Sequence, residues 1–237
     1  MKIPRSRILL VIMACCLLTA ACQFDRAVSG PLRSDAFAID RGEADRANVE
    51  LDMGAGEMNL RGGADKLIEG TFEYNVDDWK PLVKSAVNGS HATVTIRQPE
   101  GVRPGHNRRY TWNLRLNDSA LLDLAINCGA GQATLDLGSL HLRGIEVHMG
   151  AGQVDLDLRG NPTHDYEVRI NGGVGQANLK LPTGVGIWAE AKGGLGSIHV
   201  SGLEKRGNHW ENDLYDKAKV NVRVQVHGGI GEIRITA

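Results

Sequence analysis

Asp136, Asp155 and Asp157 come nearest to usable chemistry in this sequence. Asp136 and Asp157 lie 21 residues apart in matched surroundings, Ala-Thr-Leu-Asp-Leu and Val-Asp-Leu-Asp-Leu, and Asp155 precedes Asp157 by two. Converging carboxylates could ligate calcium or share the acid and base roles of a glycan-cleaving enzyme. On neighbouring strands they read instead as a solvated face on which Lys180 neutralises Asp157. We take the solvated reading, because no histidine, arginine or third acid joins the column of Asp136 and Asp157. His148 and His227 share another polar column with Asp52, Asn127, Asn171 and Lys192. They stand three repeats apart in chain order, and a metal would want histidines on adjacent strands. Neither a metal nor a cofactor is expected. The serines lie in turns without a partnered base, and no Gly-x-Ser-x-Gly or His-Glu-x-x-His pattern occurs.

Those columns exist because the chain repeats. Six Gly-x-Gly dyads stand at Gly54 and Gly56, Gly129 and Gly131, Gly150 and Gly152, Gly173 and Gly175, Gly194 and Gly196, and Gly229 and Gly231. The middle four are spaced 21, 23 and 21 residues apart, the signature of stacked supersecondary units. Before each dyad apolar and polar residues alternate strictly, as in a strand with one buried face. Ala55, Ala130, Ala151, Val174, Leu195 and Ile230, between the glycines, continue that apolar phase. After the second glycine the phase slips by one residue, which would turn a straight strand inside out. The chain must bend there, and glycine can adopt the conformation a corner needs. Each dyad is therefore read as architecture. A dinucleotide or phosphate loop is excluded because each dyad enters a strand rather than a helix and lacks the following Lys-Ser/Thr. A calcium-binding nonapeptide roll would want Asp where these copies carry Glu57, Gln132, Gln153, Gln176, Ser197 and Glu232.

The spacing predicts an all-β fold, a β-solenoid or parallel β-helix-like roll with rungs of about 21 residues. Residues 43–122 hold the first unit and an atypical, partly antiparallel capping section, including a hairpin from Leu82 to Gln98 around Asn88-Gly89. Residues 123–237 form the solenoid, broken by an insertion at about 204–217. Trp210, Asn212 and Tyr215 make that insertion the candidate binding surface, and the alternative is that its aromatic rings cover the end of the core.

The first 21 residues follow the plan of a secretory signal: Lys2, Arg5 and Arg7, then an apolar run, then small residues. Leu18-Thr19-Ala20-Ala21-Cys22 resembles a lipoprotein cleavage box, with Thr19 departing from its usual pattern. Cys22 is thus expected to carry lipid and residues 22–42 to form a tether, so that the membrane is a partner through the N-terminal lipid. Gln23 after Cys22 would permit outer-membrane sorting in a Gram-negative cell. The formal net charge of −1 excludes a basic nucleic-acid surface. Cys128, at an inward position, reads as a buried thiol.

The runs from Trp112 to Asp118, Leu121 to Leu124 and Gly129 to Leu137, with Glu69–Val76 and Gly228–Ile233, resemble the bacterial toast-rack family. That family is related to LiaF-like cell-envelope proteins and to domains named as adhesin heads. The resemblance covers most of residues 45–237 and implies an envelope-exposed β-roll with no catalytic residues to carry over. The expected function is a lipid-anchored, non-enzymatic structural or adhesin-like module, with an envelope protein or a glycan as partner. The alternatives are a regulator of an envelope stress response and a polysaccharide-acting β-helix enzyme.

Overall fold

Strict alternation leaves each repeat one apolar face to bury, and the chain buries it by laying repeat beside repeat. In the computed structural model, which describes residues 30–101 and 107–237, six long strands carry the dyads. They are β2 (Arg46–Arg61), β7 (Leu121–Asp136), β8 (His141–Asp157), β9 (Tyr166–Lys180), β10 (Gly186–Ser201) and β13 (Asn221–Thr236). All six pair in parallel with glycine beside glycine, as in Gly131↔Gly152 and Gly175↔Gly231. Among the described residues the non-strand order includes one 3-10 turn, Asp77–Trp79, and no helix is long and apolar enough to cross a membrane. The signal segment and Cys22 lie outside the described residues.

The second glycine of every dyad has φ between 130° and 149°, a range that side chains rarely adopt. The slip of phase is thus taken up at that residue. The first arm of each rung buries Leu51, Ile126, Val147, Ile170, Val226 and Ala191, and the second arm buries Leu60, Leu135, Leu156, Leu179 and Ile235. Each large aliphatic side chain so placed contributes roughly 1.5–3 kcal/mol. The sheet is open rather than closed into a barrel.

The rungs do not stack in chain order. Spatially they run β2-β7-β8-β9-β13-β10, so the last repeat lies between the two before it. The long connection after Ser201 makes this feasible. It forms a small hairpin, β11 (Glu204–Arg206) and β12 (His209–Glu211), on the outer edge of β10, and then returns. His227 consequently faces Asn171 and Lys192, and a single rung separates it from His148.

At the other end β2 is flanked twice on one edge. β5 (His91–Arg97) pairs with its first arm and β6 (Tyr110–Leu116) with its second. β4 (Leu82–Asn88) completes the expected hairpin with β5. β3 (Ile68–Tyr74) and β1 (Arg33–Ile39) add antiparallel strands beyond β6. Phe37 stacks on Phe72 at 4.6 Å, and Phe72 meets Trp112 edge-on at 5.5 Å, closing the core with rings. Part of the stretch expected as tether is therefore strand β1. Its own alternation is weak, and it is held by Phe72 on a neighbouring strand.

Candidate functional site

The register brings Asp136 opposite Asp157, and Asp157 opposite Lys180. It also sets Arg61 opposite Asp136, so an arginine does join this column, contrary to the expectation, and adds to its charge balance. Arg159 grips Asp157 through Nε to Oδ1 at 2.9 Å and Nη2 to Oδ2 at 2.6 Å, and its backbone N–H donates at 3.1 Å. The Lys180 ammonium lies 3.7 Å away. The Arg159 hydrogen bond, more than the Lys180 charge, holds the Asp157 carboxyl below the usual carboxylate range. A carboxylate fixed in its ionised form suits an ion-paired face better than proton donation. Asp155 accepts from Gln153 Nε2 at 2.7 Å and Asn178 Nδ2 at 2.8 Å, and Gln132 Nε2 approaches to 3.5 Å. His148 lies 3.0 Å from Glu146, and His227 lies 3.9 Å from Glu190. Among the described residues no three His, Cys, Asp or Glu groups gather to hold a metal ion.

The insertion is fastened to the stack. Asn212 Oδ1 accepts from the Ile187 N–H at 2.9 Å, and its Nδ2 donates to the Val185 carbonyl at 2.8 Å. Trp210 sits opposite Ala189 in the β12–β10 pair and packs against the core, with Lys205 Nζ 5.2 Å from its ring. The Tyr215 hydroxyl accepts from Arg223 at 3.1 Å. Two of the three candidate binding residues, Trp210 and Asn212, thus tie the hairpin to β10. Trp188 was not singled out from sequence, yet it occupies the polar phase of β10. There it stacks on His209 at 5.2 Å and lies under Arg223 at 4.6 Å. A tryptophan in the outward phase was the signal that something covers that face.

The corners divide into two kinds. In β2, β7 and β8 the residue before the first glycine is Met53, Cys128 or Met149, all buried, and alanine stands between the glycines. Burial pushes the Cys128 thiol up to about 11, so it is a packing group rather than a nucleophile. In β9, β13 and β10 the preceding residue is Gly172, Gly228 or Gly193. Val174, Ile230 and Leu195 stand between the glycines and are 53%, 52% and 71% exposed. This corrects the expectation that the middle column is buried, because the corner interrupts the alternation that would have carried it inward. A cavity of about 80 Å3, lined by Met149, Gly172, Ala177 and Ile233 among others, remains in this half.

Outside the alanine corners lies a groove of about 1050 Å3. Its floor includes Gly56, Gly131 and Gly152, and its lining includes Glu57, Gln132, Gln153 and Gln176, with Arg109, Tyr110 and Thr111 at one end. Thr111, Glu57, Gln132, Gln153 and Gln176 form one row, each paired to the next across adjacent strands.

Residues 28–180 match the family model described as the N-terminal domain of toast_rack, DUF2154. The chain is similar to the crystal structure of a "putative cell adhesion protein" from Clostridium sporogenes. Identity is 31%, the match covers 87% of this chain and 99% of that one, and the TM-score is 0.84. It also matches a "putative adhesin" from Bacteroides fragilis at 12% identity and TM-score 0.23, covering 87% of this chain and 98% of that one. No curated protein matches the sequence significantly.

Proposed function

The chain belongs to the toast-rack family, and from that premise we propose that it is a non-enzymatic, adhesin-like module of the bacterial cell envelope. A lipid on Cys22 holds it to the membrane, and its folded part is presented on the tether that precedes β1. One observation carries this reading: a single sheet presents an outer surface that spans six parallel rungs. Recognition by such a surface comes from many shallow contacts rather than from a reacting centre. The similarity to the Clostridium sporogenes protein, named a "putative cell adhesion protein", supports it. So does the pairing of Asp157 with Arg159 and of Asp155 with two side-chain amides, which leaves neither poised as an acid or base.

The test is adhesion of the lipid-free chain, immobilised on beads, to intact cells and isolated envelope material. Saturable retention above that of a bead-bound control protein is expected. Retention no higher than the control on every surface, or glycan cleavage that Asp157→Asn abolishes, would defeat the reading. Mass spectrometry of the mature N-terminus addresses the anchor separately: a free α-amine without acyl mass removes it.

A further inference from the structure

Resting on the adhesin-like reading, we propose that the groove outside the corners of β2, β7 and β8 binds a linear, uncharged glycan lying along the stack. The row Gln132, Gln153 and Gln176 places one side-chain amide on each successive rung. Rungs repeat at about 4.8 Å, close to the length of one pyranose residue in an extended chain. Three neighbouring sugars would therefore each meet an equivalent group.

The amides are also oriented. Asp155 draws Nε2 of Gln153 to 2.7 Å and that of Gln132 to 3.5 Å, so both amide nitrogens point at one carboxylate. Their carbonyl oxygens are left to accept from ligand hydroxyls. Asp155 is thus a positioning residue. The floor can be approached closely because it is glycine and alanine: Ala55 and Ala130 stand where the other half of the stack carries Val174, Ile230 and Leu195. At the end of the row Thr111 is only 5% exposed, and its hydroxyl has no hydrogen-bond partner among the described residues. A buried hydroxyl without a partner is costly, and it marks a place where a ligand or bound water belongs.

The lining also decides the chemical class. Amides, a hydroxyl, Glu57, Arg109, and Arg108 over the Trp79 ring at one end match a chain of hydroxyls and acetamido groups. A lipid would want the apolar residues of the opposite half. A polyanion would meet Arg108 and Arg109 at one end alone, and the carboxylates of Glu57 and Asp155 along the row.

Isothermal titration with cello-, chito- and malto-oligosaccharides of two to six units tests the proposal. Affinity for one series should rise up to at least three units. Ala130→Leu should weaken it tenfold or more while leaving the melting temperature unchanged, since leucine already occupies the equivalent corner at Leu195. Asp155→Asn should weaken it less than Ala130→Leu, and a Gln153→Ala background should remove most of that loss. Should Ala130→Leu lower the melting temperature, the exposed pair Gln132→Ala/Gln176→Ala decides in its place. Unchanged affinity in the deciding variant, or no binding by any series, overturns the glycan groove. If bead-bound chain still adheres to cells in that event, the adhesin-like reading stands alone; if adhesion is also absent, both fail.

Discussion

The two halves of the stack solve one corner in opposite ways. In β2, β7 and β8 the bulk lies before the bend, as Met53, Cys128 and Met149, and the alanine outside it leaves a groove. In β9, β13 and β10 glycine precedes the bend, a small cavity opens inside, and Val174, Ile230 and Leu195 project as a ridge. At the corner itself backbone and register are the same in both. The comparison teaches that the Gly-x-Gly frame fixes the path of the chain, while two variable positions around it set the surface. A repeat protein can thereby carry a polar trough and an apolar crest on one scaffold.

The shared frame is the first thing to break. Gly152→Val should abolish folding or cost more than about 4 kcal/mol. A Cβ there would overlap the Gly131 carbonyl oxygen, at a φ of 137° that valine rarely adopts. Circular dichroism melts would show it, and a normal melt would mean that the corner is not structural. The two halves should then diverge under matched changes in the column before the bend. Met149→Gly removes a buried side chain and should cost about 3 kcal/mol or more. Gly172→Ala should be neutral or stabilise by about 0.5 kcal/mol. Its Cβ would meet only the His227 carbonyl oxygen at 3.8 Å, and Gly172 is not a positive-φ glycine. Equal losses in denaturant titrations would erase the distinction.

Away from the corner the halves should behave alike and weakly. Arg159→Ala should lower stability at pH 7 by less than about 1 kcal/mol, because the pair is solvated. The Asp157 carboxyl is held low in the fold, so its contribution is present above the unfolded value of about 3.9. It is lost as pH falls through the lower folded value. The melting temperatures of variant and parent should therefore converge in strong acid, and a gap that widened there would contradict the pairing. Smallest of all, Leu195→Ser and Ile230→Ser should change stability by under about 0.5 kcal/mol. Their exposed aliphatic side chains hold nothing inside, and a larger loss would place the ridge in the core.

Much of this was legible. Six dyads, their phase slip and the alternation around them specify strand, corner and strand, and the parallel columns follow, down to Asp136 beside Asp157. The Asn88-Gly89 hairpin was equally plain. Less plain was β1, whose order comes from Phe72 on another strand. The groove was not legible, because its glutamines look like ordinary surface residues until the register sets them in line. Thr111 joins that row from a strand outside the repeat.

Local chemistry was enough to dictate the bend, since backbone conformation at glycine and side-chain periodicity act over a few residues. Three things depended on the assembled fold: the insertion of β13 between β9 and β10, the exposure of Val174, Leu195 and Ile230, and the fastening of Asn212 to β10. Each is set by partners distant in the chain. At such positions burial and hydrogen bonding depend on which strand lies alongside, and a sequence read one repeat at a time carries no record of that neighbour.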